Sequence, residues 1–261
     1  MYNIRKIIDF SAWTGNWPFV FLGNSTLDSL KKKLEAQNIV KAFVSPIETI
    51  LERDPMRANK KLLTDLHDYN DDFFSPVPVI DLSYENWTEI AELAVKDKRV
   101  RMVKLIPSYH NYELTTEKLK ELVDITQKNK LIIALQMRIE DTRGQYPLMK
   151  IPDLNILSIV RVLSAFPDQM FIINNLYYSE VPPVLHSLNN VFIDISSIEW
   201  QNILHLLHDS YTLDKFLFSS HCAFYYPEGN TFKLKYSDLE ESELDKVAFR
   251  NGEDLLGSMK R

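Results

Sequence analysis

A serine and a histidine follow a short apolar run late in the 261-residue chain, where residues 215–224 read Lys-Phe-Leu-Phe-Ser-Ser-His-Cys-Ala-Phe. A run this short and this apolar is typical of a strand buried on both faces, as in parallel sheets. In an α/β barrel, the residues that carry chemistry stand at the C-terminal ends of the strands. Ser220 and His221 are therefore the first site candidates. His221 is a candidate general base because the ordinary pKa of imidazole lies near neutrality.

Seven more strand-like runs come before this one, and helical stretches separate them. Pro76 and Pro78 interrupt the third run, which is unusual for a central strand. Eight strands that alternate with helices over about 250 residues predict a (β/α)8 barrel. An open doubly wound sheet, the alternative, usually carries a glycine-rich phosphate turn that this chain lacks. We therefore predict an α/β fold, a single (β/α)8 TIM barrel that forms one domain over residues 1–261. The eight runs are residues 4–10, 39–45, 73–80, 100–106, 131–137, 170–175, 191–196 and 216–220.

Composition excludes several classes of function. The net charge of −6 gives no electrostatic reason to expect nucleic acid or an anionic membrane as a partner. The single cysteine, Cys222, excludes an internal disulfide and fits a reducing compartment. The chain shows neither a signal peptide nor an apolar run of about 18 residues, so we expect a cytoplasmic protein without a membrane span. Homo-oligomerisation stays open.

Five segments in the right order together resemble the amidohydrolase-related family of metal-dependent TIM-barrel hydrolases. Ile8-Asp9-Phe10-Ser11-Ala12-Trp13 stands where that family has Ile-Asp-x-His-x-His. Residues 103–112 are similar to its Lys-Leu/Ile-His-Pro segment, and residues 191–197 to its Asn-Val-Tyr-x-Asp-x-Ser. Residues 218–224 resemble Phe-Gly-Ser-Asp-x-Pro-Phe, and residues 247–256 resemble the closing helix. The resemblance spans the chain and implies a hydrolase of the metal-dependent TIM-barrel type.

The resemblance also implies a metal held by histidines of the first, fifth and sixth strands and by an aspartate of the eighth. The corresponding residues here are Ser11, Trp13, Gln136, Asn175 (or Asn174) and His221. Serine, glutamine and asparagine are poor zinc ligands, and the indole N–H of tryptophan is only a donor. We therefore expect no tightly bound zinc and no other cofactor, and the family's usual mechanism does not carry over.

Two charged residues join His221 as catalytic candidates, namely Lys104 and Asp9. Lysine is almost never fully buried without a partner, and Lys104 lies in a predicted buried strand. We expect its ammonium group to bond a barrel carboxylate, Asp9 or Asp194 above all, unless it binds an anionic ligand. His221 and Trp13 are then expected to fill the volume of the former metal.

The substrate-binding candidates lie at the predicted strand ends and in the loops that follow. Arg138 could join Lys104 and Arg143 in a carboxylate- or phosphate-binding set. His110 either pairs with His221, holds a substrate, or is a surface loop residue. Aromatic residues on the first and last loops, such as Trp17 and Tyr225, suit an apolar or sugar-like ligand. The full candidate set is Ser11, Trp13, His110, Gln136, Arg138, Asn175 and Ser220.

Two functions of different kinds follow, both with a small molecule as partner. The first is a hydrolase-like barrel that acts on a small carboxylated or sugar-derived substrate without the family's full metal site. The alternative is a catalytically inactive barrel that serves as a binding or assembly module. A third hypothesis is a rebuilt metal site, in which His110 and His221 join Asp9 or Glu48.

Overall fold

Nine parallel strand segments form the centre of the molecule, which a computed structural model describes over residues 4–23 and 25–259. They are paired in the orders β1-β2-β3 and β4-β5-β6-β7-β8-β9, and every pairing is parallel. The segments are β1 (Ile7–Thr14), β2 (Ile39–Pro46), β3 (Phe74–Pro76), β4 (Val79–Ile80), β5 (Met102–Leu105), β6 (Ile132–Gln136), β7 (Phe171–Asn174), β8 (Val191–Asp194) and β9 (Phe216–Leu217).

The third predicted strand is split into β3 and β4, at the prolines that made it unusual. Val77 donates its N–H to Val44 of β2 at 2.8 Å, whereas the Pro78 carbonyl accepts from Lys104 of β5 at 2.9 Å. Because proline has no N–H to offer a ladder, the chain changes partner here without a continuous strand. The nine segments therefore make eight barrel strands.

Backbone hydrogen bonds between β1 and the segment after β9 close the barrel. Phe10 donates to the Phe218 carbonyl at 3.0 Å, and His221 donates to the Ser11 carbonyl at 2.9 Å. The predicted (β/α)8 TIM barrel is confirmed.

Helices follow the strands and cover the sheet. Thr26 and Thr115 are the N-caps of α1 and α4, since their side chains accept from the N–H groups of Ser29 and Lys118. Across the part of the chain that the structure describes, none of the helices has the length and apolar character needed to cross a bilayer. The helices are α1 (Leu27–Glu35), α2 (Met56–Tyr69), α3 (Trp87–Lys96), α4 (Thr116–Lys128), α5 (Ile156–Leu163), α6 (Val181–Ser187), α7 (Ile203–Tyr211), α8 (Pro227–Lys235), α9 (Glu241–Asp245) and α10 (Asn251–Ser258).

The C-terminal end contains one helix that the sequence did not predict. Helix α8 has no predicted counterpart, because its buried side chains include the polar Asn230 and Thr231 and leave no apolar stripe. The closing segment, predicted as one or two helices, consists of α9 and α10 with a π-helical turn, Lys246–Arg250, between them.

Three apolar layers fix the position of the strand ends. Most of the core lies between the helices and the outside of the sheet. A second cluster inside the barrel includes Phe10 and Phe43, whose rings stack 5.0 Å apart, and α10 packs beneath it. A third cluster at the mouth, the mouth plug, is built from Trp13, Trp17 and Ile139 with Tyr109 and Phe224 against them. The barrel is therefore filled from end to end rather than hollow.

Candidate functional site

Lys104 of β5 is buried at the centre of the mouth. Its ammonium donates to Ser11 Oγ at 2.9 Å and lies 4.2 Å from the ring centroid of Trp13. Burial lowers the pKa of Lys104 to about 7, although the charges of Asp194 and Asp9 favour the protonated form. A lysine with so low a pKa is partly neutral at physiological pH, which is rare for this residue type.

The prediction that Lys104 bonds a carboxylate is wrong. Within the described residues, no carboxylate oxygen is in ion-pair contact with Lys104, whose one side-chain hydrogen bond goes to Ser11. The two nearby carboxylates already accept hydrogen bonds from neutral groups at the strand ends. Asp194 accepts from Asn174 Nδ2 at 2.7 Å and from Ser196 Oγ at 2.7 Å. Asp9 accepts from Ser11 and Ser220. These neutral donors have taken the place that was expected for the lysine.

Asp9 of β1 fastens the first strand to the end of the last. Its carboxylate accepts from the backbone N–H of Ser11 at 3.1 Å and of Ser220 at 2.9 Å, and from Ser220 Oγ at 2.5 Å. Burial raises the pKa of Asp9 to about 7, and the Ser220 and Ser11 hydrogen bonds act in the opposite direction. The Ser220 hydroxyl also accepts from the Cys222 N–H at 3.0 Å. Asp9 and Ser220 are thus brought together as part of the barrel closure.

His221 lies against Trp13 in a fixed orientation. Its Nε2 is 2.7 Å from the Ile139 carbonyl, and its Nδ1 is 3.2 Å from Trp13 Nε1. Because a carbonyl only accepts and an indole N–H only donates, the proton sits on Nε2 and the lone pair on Nδ1 is used. Burial lowers the pKa of His221 to about 3. The general-base role of His221 stays a prediction, and it would require the Trp13 bond to break first.

We expect 15N NMR of histidine-labelled protein to show His221 as the neutral Nε2–H tautomer from pH 8 down to about pH 4, because its pKa lies near 3. The exposed His67 side chain supplies a reference resonance in the same spectra. Protonation of His221 above pH 5 would contradict the complete burial of its side chain.

Gln136 and Asn175 meet at the ends of β6 and β7, as predicted for two strand-end residues of one mouth. Gln136 Nε2 lies 2.5 Å from Asn175 Oδ1, and Asn175 Nδ2 donates to Ser197 Oγ at 2.9 Å. Asn174 instead donates to Asp194, and the correspondence of Asn175 (or Asn174) to the family's sixth-strand histidine stays a prediction. These bonds form a buried chain of amides that leads from the barrel axis outward to Ser197.

Arg138, a predicted substrate-binding residue, is held by protein carboxylates. Its guanidinium makes two parallel bonds to Glu180, at 2.8 and 2.7 Å, and a third to Asp153 at 3.1 Å. It also donates to the Asn175 carbonyl and lies 3.8 Å from the ring centroid of Tyr177. The side chain is 1% exposed, so its positive charge is paired with the carboxylates of neighbouring loops. The binding role stays a prediction.

His110 lies away from the other candidates, in the loop after β5. Its Nε2 is 2.9 Å from the Thr49 carbonyl, and its ring stacks on Tyr112. The alternative of a surface loop histidine is wrong, because the side chain is only 3% exposed.

The polar groups at the mouth differ in type from the ligands that zinc prefers. Hydroxyl and amide groups replace most of the anionic and imidazole ligands that zinc prefers, and both nitrogens of His221 are occupied. The Lys104 ammonium, itself a cation, lies beside Ser11. Over residues 4–23 and 25–259, no three His, Cys, Asp or Glu side chains are placed to hold a metal, so the rebuilt set of His110 and His221 with Asp9 or Glu48 is not assembled.

A cavity of about 580 Å³ opens at the mouth above β6–β9. All of its lining residues come from the loops after these strands, and Ser197 connects it to the amide chain. Trp200 is 69% exposed at its rim. Most of this set was not predicted from the sequence, although several members follow strand ends within a few residues, a position that could have identified them. The cavity is lined by Asp141, Arg143, Tyr177, Tyr178, Ser179, Ser197, Glu199, Trp200 and Tyr225.

The mouth plug lies against the buried candidates, since Trp13 contacts both Lys104 and His221. The ring of Trp17 lies 5.2 Å from that of Phe224 and 6.4 Å from that of Tyr109. Above them, Tyr146 in the loop after β6 stacks on Phe19 at 5.0 Å. Asp9, Lys104 and His221 all have no exposed surface.

The sequence profile of a family described as Amidohydrolase matches residues 35–257. No curated protein matches the sequence. A search of solved structures finds the same barrel in 2,6-dihydroxybenzoate decarboxylase from Rhizobium, with 13% identity, a TM-score of 0.73 and coverage of 98% of this chain and 99% of that one.

Two further structures are similar over their whole length. 5-Carboxyvanillate decarboxylase from Sphingomonas paucimobilis has 10% identity, a TM-score of 0.74 and coverage of 97% of this chain and 99% of that one. An uncharacterized TIM-barrel protein from Bordetella bronchiseptica has 17% identity, a TM-score of 0.70 and coverage of 98% and 100%. At these identities the likeness shows the fold alone.

Proposed function

Since the chain belongs to the amidohydrolase family, we propose that its barrel binds a small aromatic carboxylate in the cavity above β6–β9. The observation that carries the proposal is this cavity, at the end of the barrel where ligands of such folds bind. Two of the similar barrels are named for aromatic carboxylates, 2,6-dihydroxybenzoate and 5-carboxyvanillate, which suggests this class of ligand.

The lining of the cavity supports this choice of ligand. Tyr177, Trp200 and Tyr225 offer aromatic faces and edges against which a ring can pack. Arg143 bonds Asp141 through two of its nitrogens, at 2.7 and 3.0 Å, and its remaining N–H groups can reach a ligand carboxylate. Ser197 adds a hydroxyl at the inner end.

Binding rather than metal-dependent hydrolysis is the function that the geometry supports best. The candidate catalytic groups Asp9, Lys104 and His221 are enclosed beneath the mouth plug, and each is hydrogen-bonded within the barrel. We assign no reaction step to them. This is the binding-module alternative, now with a location for its ligand.

One observation favours a second candidate, a hydrolase- or lyase-like activity that needs no metal. The pKa values of Asp9 and Lys104 are both moved to about 7, from opposite sides. Perturbed pairs of this kind gather at functional sites more often than elsewhere. In this case a substrate would have to displace the mouth plug, and product formation would be lost in Lys104→Met.

Calorimetric titration with benzoate, benzyl alcohol and cyclohexanecarboxylate tests the binding proposal. We expect benzoate to bind at least about tenfold more tightly than either analogue, because only benzoate combines charge with an aromatic face. Trp200→Ala and Arg143→Gln should each weaken benzoate binding, while the exposed control Arg161→Gln should leave it unchanged. Equal affinity for all three compounds, or equal effects of the two arginine variants, would refute the proposal.

A further inference from the structure

A second cavity, of about 520 Å³, lies on another side of the molecule, near the ends of β4 and β5. Asp81 and His110 form part of its wall, with Glu52, Glu85 and Arg53. It shares no lining residue with the cavity above β6–β9. Ligand binding in this cavity is therefore independent of the proposed function.

His110 places an unused lone pair at this wall. Because its Nε2 donates to the Thr49 carbonyl, and because burial lowers the pKa of the ring, Nδ1 carries no proton. Nδ1 is buried and has no hydrogen-bond partner among the described residues. A buried acceptor without a donor costs free energy, which a suitable ligand would recover.

A polar neighbour of Nδ1, the carboxylate of Asp81, is also an acceptor. Asp81 Oδ1 lies 3.8 Å from His110 Nδ1, and it also accepts from the N–H and hydroxyl of Ser83 at 2.8 and 2.7 Å. Two acceptors side by side cannot satisfy each other. At that separation, one donor atom about 2.9 Å from each can bond both, provided that it carries at least two hydrogens.

The charge around the pair restricts the ligand further. Three carboxylates, those of Glu52, Asp81 and Glu85, face the cavity against the single guanidinium of Arg53. Among residues 4–23 and 25–259, Glu52 Oε2 is a second buried acceptor without a hydrogen-bond partner, since only Glu52 Oε1 bonds Arg57. Tyr84 also lines the cavity and offers a ring for a cation. The surroundings therefore favour a positive group with several N–H donors.

We propose that this cavity is a binding site for a primary ammonium group, held between His110 Nδ1 and Asp81 Oδ1. A hydroxyl group has one hydrogen and cannot donate to both atoms at once. A quaternary ammonium has no N–H and would leave both acceptors unpaired. Water and an uncharged amine also carry two hydrogens, but the three carboxylates around the cavity favour a positive charge. The ligand class that we assign is thus a small primary amine in its protonated form.

Titration of ethylammonium chloride into 15N-histidine-labelled protein at pH 8 tests the site directly. We expect the Nδ1 resonance of His110 to move toward that of a hydrogen-bonded acceptor, while the Nε2 resonance stays in place. Tetramethylammonium chloride, with equal charge and no N–H, should leave Nδ1 unmoved. No movement of Nδ1 with ethylammonium, or equal movement with both salts, overturns the proposal.

The affinity of variants gives a second, independent measurement. Asp81→Asn removes the charge and keeps the shape, and it should weaken ethylammonium binding at least about tenfold. Asp168→Asn, an exposed carboxylate elsewhere, is the matched control and should bind as the parent does. If Asp81→Asn loosens the Ser83 turn and unfolds, the resonance shift in the parent protein still decides. Unchanged affinity in a folded Asp81→Asn variant contradicts the site.

Discussion

Replacing Arg138 by methionine is expected to lower the free energy of unfolding by about 3–5 kcal/mol. The guanidinium is buried and makes its bonds to Glu180, Asp153 and the Asn175 carbonyl. Methionine fills much of the volume but leaves the 15%-exposed Glu180 carboxylate without its cation. Removing one partner of a buried ion pair is costly because the other charge remains desolvated.

Urea titration of Arg138→Met beside Arg161→Met measures this effect, since Arg161 is exposed on α5 and should change stability by less than about 0.5 kcal/mol. The opposite pattern is also informative. An Arg138→Met variant as stable as the parent, but unable to bind benzoate, would return Arg138 to the role predicted from the sequence.

Replacing Lys104 by methionine is expected to raise the free energy of unfolding, by about 2–3 kcal/mol at pH 7. Burial lowers the pKa of Lys104 from the ordinary 10.5 to about 7, a penalty on the charged form of roughly 4–5 kcal/mol. Methionine also loses the hydrogen bond to Ser11 and the cation–π contact with Trp13, which together cost about 2 kcal/mol and offset part of this gain. A buried lysine without an ion pair is thus a net cost to the fold.

The pH dependence of the stability difference between Lys104→Met and the parent tests whether burial of the charged lysine is its cause. Between pH 7 and 10.5 the unfolded chain binds more protons at Lys104 than the folded protein, so the stability of the parent rises with pH. The advantage of Lys104→Met should therefore be largest below pH 7 and shrink toward pH 10.5. Melts across this range, with the exposed Lys120→Met as control, measure it. A variant less stable than the parent at every pH would mean that attraction to Asp9 and Asp194 outweighs burial.

The fold could be predicted because apolar runs and prolines are local features of the sequence. The eight buried strands can be recognised by their apolar composition, and Pro76 and Pro78 already marked the third strand as unusual. Helix α8 could not be predicted, since the polar Asn230 and Thr231 are buried by contacts outside the helix. Asn230 bonds the Ser220 carbonyl and Thr231 bonds Gln37.

The site was predictable in position but not in its bonding. Knowing that strand ends converge was enough to bring Gln136 to Asn175. The partners of Lys104 and Arg138 depended on side-chain geometry, which the order of residues does not reveal. Glu180, for example, follows β7 by several residues and reaches Arg138 only because a 3-10 turn, Tyr178–Glu180, directs it back.

The way the barrel closes has a consequence for its synthesis. The carboxylate of Asp9 and its partner Ser220 are 211 residues apart in the sequence. A ribosome needs roughly 10–40 s to make that length of chain. For this time the outer edge of β1 has no neighbour, and its unpaired N–H and C=O groups are a template for another strand. The nascent chain is therefore most exposed to mispairing, and has most to gain from a chaperone, at its first strand.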